Sequence, residues 1–597
     1  MRELEVPATI DLPVEGSLAD IPMRNAVEAP EAIVYSRRDA ATGRWRDVSA
    51  AQFWSEVFAV AKGLIASGVS PGDRVGIMSR TRYEWTVLDF ALWTAGAVVV
   101  PVYETSSAEQ IQWILRDSEA VGIFVETPTH DVAVQQVLPN APACRHVWVI
   151  DAGAVDDLSR SGNDVSDGDV EERRSNTTPD SLASIIYTSG TTGRPKGCEL
   201  THGSLLFVTL TSVATLSELF EEDASTLLFL PLAHVFGRIV ELAAAAARLR
   251  LGHVPDAKTL TEDLGDFRPT FLFVVPRIFE KVYNAASQRA HATGRGPLFD
   301  RAASVAIAHS RAQDEGGPSL ALKVQHAVFD RLVYGRLRAA LGGRVRYACS
   351  GGAALGERLG HFYRGIGLVV LEGYGLTETS APSTVNTPDA VRIGTVGRPI
   401  QGTAVRIADD GEVLLAGPHI FRGFRNNPDA TAEVIDADGW FHSGDLGELD
   451  DDGYLRITGR KKDIIITAGG KNVAPAMLED RIRAHYLVSQ CMIVGDGRPY
   501  VCALITLDPE ALPGWAEQHG KIDVSPDELA EDAVLRAEIQ AAVDEANKAV
   551  SRAESIRKFM IIGTDWTEES GHLTPSMKLK RANVIKDHTL EIEQLYA

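Results

Sequence analysis

Two periodicities alternate along the early part of the chain. Asp73 to Met78 reads as an apolar strand, Trp85 to Ala97 as a helix and Val98 to Pro101 as another strand, and the helix-like Ala108 to Ser118 leads to the apolar run Val121 to Val125. Strands taking turns with amphipathic stretches predict stacked α/β units with parallel strands. The segment 151–179 breaks this pattern: it is acidic, contains Ser, Asn and Gly, and lacks aromatics. It reads as a solvent-exposed linker or a variable insertion. Val405 to Leu415 and Gly453 to Ile457 read as short strands with Gly/Asp turns, which predicts a small β subdomain. After Gly459-Arg460 the pattern starts afresh with Asp463 to Ile466, a helix-like Pro475 to Tyr486, and strands at Cys491 to Val494 and Val501 to Leu507. That makes a compact α/β domain of about 135 residues, an ordinary size. There is no internal repeat.

A chain of 597 residues exceeds a single hydrophobic core, so at least two domains are expected. Its composition, 45% hydrophobic and 23% charged, is that of a soluble globular protein. The net charge of −22 argues against bulk attraction to nucleic acid or to an anionic membrane. A polyanion such as ATP would therefore need local cations or Mg²⁺. Cys144, Cys198, Cys349, Cys491 and Cys502 are widely spaced, show no metal pattern and read as reduced, buried thiols of a cytoplasmic protein. No apolar run follows Met1 to Val6 that would serve as a signal peptide, and no window reaches the length of a membrane span. Peripheral membrane contact stays open.

The chemistry begins at Tyr187-Thr188-Ser189-Gly190-Thr191-Thr192-Gly193-Arg194-Pro195-Lys196-Gly197. Glycines let backbone N–H groups approach a phosphate chain, the hydroxyls add donors, and Lys196 adds charge. The run is not a Walker A loop, because Gly197 rather than Ser or Thr follows the lysine. A second glycine turn, Ser350-Gly351-Gly352-Ala353-Ala354, follows an apolar strand at Val345 to Cys349 and leaves room for a flat base such as adenine. Gly373-Tyr374-Gly375-Leu376-Thr377-Glu378-Thr379 offers an aromatic face, a hydroxyl and a carboxylate; Glu378 suits Mg²⁺, which takes hard oxygen ligands alongside phosphate. Asp445 sits in a turn where it would accept both ribose hydroxyls, with Arg460 fifteen residues on as a second grip. Near the C-terminus, Leu573 to Arg581 concentrates Lys578, Lys580 and Arg581.

Together, and in this order, these motifs resemble the adenylate-forming enzymes: acyl-CoA synthetases, peptide-synthetase adenylation domains and beetle luciferases. The likeness runs from about residue 21 to residue 585. It implies an α/β fold with a large N-terminal domain (1–459), a hinge (460–463) and a smaller mobile C-terminal domain (464–597). It also implies two half-reactions, in which a carboxylate attacks the α-phosphorus of ATP and a thiol then displaces AMP from the acyl carbonyl. By the same resemblance, Thr188, Ser189, Gly190, Thr191, Thr192, Gly193 and Lys196 hold the β- and γ-phosphates. Gly351, Gly352, Ala353, Tyr374 and Gly375 take the adenine, Thr377 touches the α-phosphate, Glu378 binds Mg²⁺, and Asp445 and Arg460 hold the ribose. The catalytic lysine falls at Lys578, with Lys580 a rival, and Met577 stands where many relatives have Gly. His234 takes a place beside the acyl carboxylate, Lys462 becomes the hinge, and Gly469, Gly470 and Lys471 face the CoA pantetheine.

No carboxylate for an amino-acid amine is evident around Leu232-Ala233-His234. The segment Thr270 to Lys281 resembles the long-chain fatty-acid branch, most like the bacterial ligases, and its apolar residues would line an alkyl tunnel. The expected activity is ATP-dependent long-chain fatty acid:CoA ligation. Two alternatives stay beside it: a fatty acyl-AMP ligase serving a carrier protein, and a catalytically silent lipid-binding relative.

Overall fold

The computed structural model describes residues 2–10, 15–39, 42–188, 194–221, 223–256, 258–574 and 577–597. Among them, a seven-stranded sheet runs Gly423–Phe424, Lys196–Thr201, Leu182–Thr188, Val98–Val102, Arg74–Met78, Gly122–Val125, His146–Val149. Its last five strands are parallel, as the alternation of periods predicts. Helix Ala108–Ser118 is amphipathic: Ser107 and Gln110 cap its start reciprocally, and Ile111, Ile114 and Leu115 face the core. Helix Tyr83–Thr94 is instead buried on all sides, which places it between layers rather than on a surface. Leu205 to Leu210 belongs to helix His202–Thr215.

A second sheet orders Phe271–Val274, Tyr347–Ser350, Val369–Leu376, Ala381–Val385 and Arg398–Pro399. The small β subdomain is a five-stranded antiparallel sheet of Glu3–Val6, Thr403–Ile407, Glu412–Ala416, Phe441–Leu449 and Leu455–Arg460. Beyond it, Val488–Val494, Cys502–Leu507 and Lys558–Ile562 form a separate three-stranded sheet with its own core around Leu478, Ile493, Trp515 and Ile539. All five cysteines are buried and free. No helix among the described residues is long and apolar enough to cross a membrane.

The linker expected at 151–179 is a correction. Helices Ala154–Ser161 and Asp167–Ser175 form there, with Leu158 and Val170 buried. The first packs so closely on helix Ala50–Ala66 that a Cβ at Gly63 would lie 2.1 Å from the Leu158 carbonyl oxygen. Helix Ala154–Ser161 is amphipathic but only eight residues long, and Asp167–Ser175 buries only Val170, so both are easily read as polar linker.

Candidate active site

Strands Leu182–Thr188 and Lys196–Thr201 pair antiparallel with Thr188 opposite Lys196, so the glycine-rich run closes a hairpin. Ser189, Gly190, Thr191, Thr192 and Gly193 lie outside the described residues, but both ends of the loop are fixed. Trp113 Nε1 donates to the Pro195 carbonyl at 2.8 Å. The Arg194 guanidinium stands 4.9 Å from the centre of the Trp113 ring, and the Lys196 ammonium 4.8 Å from that of Phe424. Phe424 in turn pairs with Cys198 on the neighbouring strand. Burial, and then the charge of Glu378, raise the Cys198 thiol. The base of the hairpin and Glu378 therefore share one neighbourhood.

Glu378 is set by the crossing from strand Val369–Leu376 to strand Ala381–Val385. The pairing shifts register between Tyr374 and Gly375. A Cβ at Gly375 would lie 2.0 Å from the Ala381 carbonyl oxygen, so glycine is required there. Thr377 is buried. The Glu378 main-chain carbonyl accepts from Phe421 N at 2.8 Å, while its carboxylate forms no ion pair among the described residues. Burial raises that carboxyl above its ordinary value; Arg460 and Lys578 pull it back. The Gly351-Gly352-Ala353 turn follows strand Tyr347–Ser350, with Gly352 at φ +86° and Phe236 3.6 Å from the Cβ position of Gly351. Phe236 meets Phe273 edge to face at 6.1 Å, and Phe271 to Val274 are all buried.

Asp445 and Arg460, fifteen residues apart, are direct cross-strand partners. Arg460 Nε donates to Asp445 Oδ1 at 2.9 Å and the Tyr374 hydroxyl donates to Oδ2 at 2.7 Å. The Asp445 side chain is 8% exposed and that of Arg460 43%. One carboxylate is thus oriented by two donors, with the guanidinium partly open to solvent.

Lys578 approaches this pair from the other body. Its N–H donates to Thr574 Oγ1 at 3.0 Å, its carbonyl accepts from Thr574 N at 2.8 Å, and Met577 takes a left-handed φ of +63° to close the turn. Lys578 is exposed to solvent, with the charges of Arg460, Asp445 and Glu378 near it. Burial and the Arg460 charge lower its ammonium, against Asp445 and Glu378. His234 feels the same cation: burial, then Lys578, hold its imidazole down at about 4. His234 Nδ1 accepts from Phe236 N at 3.1 Å, which leaves Nε2–H free to donate from a neutral ring. Lys580 N instead donates to the His572 carbonyl, at the start of helix Arg581–Asp587.

Lys462 is exposed between two anchors. Lys461 binds Asp410 at 2.5 Å and Glu412 at 3.1 Å on one side, and Asp463 approaches Arg581 at 3.8 Å on the other. Gly469, Gly470 and Lys471 form the exposed turn between Ile465–Ile466 and Asn472–Val473, with Lys471 facing Glu554 at 3.3 Å; they do not join the site in this arrangement. Sequence reading missed Phe236, Phe424, Trp113 and Lys461. It also missed the polar bridges between the bodies, Lys281 to Glu510 at 2.8 Å and Thr105 Oγ1 to Glu568 at 2.5 Å. Of the missed residues, Phe236 lies two residues after His234 and Lys461 directly after Arg460; Trp113 and Phe424 stand far in sequence from any motif.

Residues 24–425 match the AMP-binding enzyme family, and residues 462–597 match the AMP-binding enzyme C-terminal domain. The chain belongs to the AMP-binding enzymes. Among relatives of this AMP-binding enzyme, it is 49% identical to the long-chain-fatty-acid–CoA ligase FadD15 of Mycobacterium tuberculosis, over all of both chains. It is 30% identical to the long-chain-fatty-acid–CoA ligase ACSBG2 of Xenopus laevis, over 93% of this chain and 80% of that one. The fold matches the anthranilate CoA ligase AuaEII in complex with anthranoyl-AMP at a TM-score of 0.72 and 20% identity, over 98% and 99% of the chains. It also matches ATP-bound MatB from Rhodopseudomonas palustris at 0.71 and 23% identity, over 96% and 99%.

Proposed function

We propose that this AMP-binding enzyme is a long-chain fatty acid:CoA ligase, converting fatty acid, ATP and CoA to fatty acyl-CoA, AMP and pyrophosphate. The observation that carries the reading is the convergence of Lys578, from the small domain, on Glu378, Asp445, Arg460 and His234 of the large one. In the first step a carboxylate oxygen of the acid attacks the α-phosphorus and the bond to pyrophosphate breaks. Lys578 bridges the two reacting anions, and neutral His234 donates from Nε2 to the acid, so charge is offset where it develops. Thr377 contacts the α-phosphate, and Thr188 and Lys196 flank the loop that receives the β- and γ-phosphates. Asp445, held from behind by Tyr374 and Arg460, keeps lone pairs for the ribose hydroxyls, while Gly351, Gly352, Ala353 and Tyr374 take the base.

The Glu378 carboxylate, half-buried and with no ion pair among the described residues, would hold Mg²⁺, a hard ion that takes oxygen ligands. When bound, that ion neutralises phosphate charge. In the second step the CoA sulfur attacks the acyl carbonyl and AMP leaves. Rotation at Lys462, between the anchors at 460–461 and 463, withdraws Lys578 and turns Gly469, Gly470 and Lys471 toward the thiol. Domain limits of 1–459, 460–463 and 464–597 follow from that hinge. The apolar wall of Phe236, Phe273 and Val275 lies next to the base turn and favours alkyl chains, each buried CH₂ contributing about 0.8 kcal/mol. The reading includes a cytoplasmic setting with peripheral contact to a membrane.

Lys578→Ala should abolish pyrophosphate release from ATP and fatty acid yet spare thioester formation from supplied acyl-AMP. Equal loss of both half-reactions would sink the assignment. A pyrophosphate screen over acids from acetate to very long chains, with and without CoA, checks the substrate: turnover should need CoA and favour long chains. A CoA-independent burst without turnover would point to a carrier-protein acceptor.

A further inference from the structure

Exposed large apolar side chains are scattered over most of this molecule, but one stretch gathers four. Leu320, Val324, Val328 and Leu332 are 79%, 58%, 51% and 48% exposed and recur every four residues along helix Leu320–Phe329 and its continuation Asp330–Tyr334. The opposite side of the same element is occupied. His326 Nε2 donates to the Gly365 carbonyl at 2.6 Å, Gln325 accepts from Arg301 at 3.1 Å, and the Tyr334 hydroxyl, fully buried, donates to the Ala302 carbonyl at 2.7 Å.

Side chains spaced by four drift around a helix of 3.6 residues per turn. The turn Asp330–Tyr334 is a π-helix, wider than an α-turn, and it offsets that drift. Leu332 stays in line with Val328 while Tyr334 swings into the core. The local winding therefore limits the further drift of Leu332 away from Val328 on the solvent side.

The exposed polar residues of this row are basic. Lys323, Arg331 and Arg336 are exposed and form no ion pair among the described residues, whereas the acid of the stretch, Asp330, is held by Arg338 at 2.7 Å. Residues 320–340 carry a charge of +3, from Lys323, Arg331, Arg336 and Arg338 against Asp330, in a chain of −22. Over a Debye length of about 10 Å the local cations outweigh the distant acids.

An apolar row flanked by unpaired cations matches an anionic phospholipid bilayer, whose headgroups pair the cations and whose acyl boundary receives the apolar side chains. A nucleic acid would leave the row uncovered. A second copy docked face to face would set the same cations against each other. We propose that the 320–336 face docks this protein on anionic membrane surfaces. It rests on the fatty-acid ligase reading for its purpose, since the acid partitions into bilayers, but the binding itself needs no turnover.

The test is co-sedimentation of the full chain with phosphatidylglycerol–phosphatidylcholine vesicles and with pure phosphatidylcholine vesicles, at low and high salt. Binding should be at least about tenfold stronger to the anionic vesicles and should weaken with salt. The variant Val324→Ser/Val328→Ser/Leu332→Ser and, separately, Lys323→Glu/Arg331→Glu/Arg336→Glu should each lose at least about tenfold in binding while acyl-CoA formation from detergent-dispersed acid stays at the wild-type level. Equal binding by wild type and the charge variant would overturn the proposal, as would a wild-type dimer that the apolar variant makes monomeric with no change at vesicles. Wild type that makes acyl-CoA and ignores vesicles would remove this surface and leave the ligase standing. Wild type that binds vesicles but activates no acid would do the reverse.

Discussion

Two aspartate–arginine pairs in this molecule share a chemistry and differ in everything else. Asp445 and Arg460 meet at 2.9 Å in the candidate site, with the guanidinium partly open to solvent. Asp89 and Arg238 meet at 3.0 Å with both side chains fully buried, under the Trp93 ring, and with Trp85 Nε1 donating to Asp89 at 3.1 Å. Beside that second pair Glu241 is sealed in, its carboxyl oxygens without a well-formed hydrogen bond. The first pair has oriented lone pairs that a ligand can reach. The second has none: Arg238 pairs with Asp89, and burial raises the Glu241 carboxyl. Ionic composition alone does not mark a site; access does.

The contrast is sharpest under mutation. Arg238→Met should cost about 3–5 kcal/mol of stability, because it leaves Asp89 buried without its cation. Denaturant midpoints measure this, and a loss within about 0.5 kcal/mol would mean that the core tolerates the free acid.

Glu241→Gln should act in the opposite direction and only above acid pH. Burial, then the Asp89 charge, raise the Glu241 carboxyl well above its ordinary 4.5. Between the unfolded and folded values the native state binds the extra proton, so stability falls as pH rises through that window. Gln mimics the protonated form and removes the fall. Its gain should be absent near pH 4.5 and grow as pH rises toward neutrality; a pH-independent difference would contradict a raised Glu241.

At the Asp445–Arg460 pair the response moves from stability to binding. Asp445→Asn should weaken ATP and AMP by about 1.5–3 kcal/mol, read by calorimetry, with little change in melting temperature. A drop in stability with unchanged affinity would erase the distinction between the pairs. Smallest of all, Met577→Gly should relieve the left-handed backbone ahead of Lys578 for a net few tenths to about 1 kcal/mol, because glycine also loosens the unfolded chain. No gain would show that Met577 contacts hold the turn.

Much of this was legible beforehand. Alternating periods foretold the parallel strands, whereas strand Lys196–Thr201, which pairs behind the glycine-rich run, was not foreseen. Other features depend on partners remote in sequence. The pairing of Asp445 with Arg460 arises from hairpin register, and strand Glu3–Val6 pairs with Thr403–Arg406 some four hundred residues away. Helix Ala154–Ser161 was hidden by its shortness, two turns of amphipathic pattern inside an acidic, aromatic-free stretch. Resemblance already favoured Lys578 over Lys580; folding adds the charges of Arg460, Asp445 and Glu378 around Lys578.

Arg460 ends its strand two residues before Lys462, and Lys461 between them is tied to Asp410 and Glu412. Under the proposed rotation every ribose contact therefore belongs to the stationary body. An acyl-adenylate is a mixed anhydride prone to hydrolysis, and it would ride through the swing without being let go. Leakage of the activated acid would then be set by the large domain's hold on AMP, independent of how often the small domain turns.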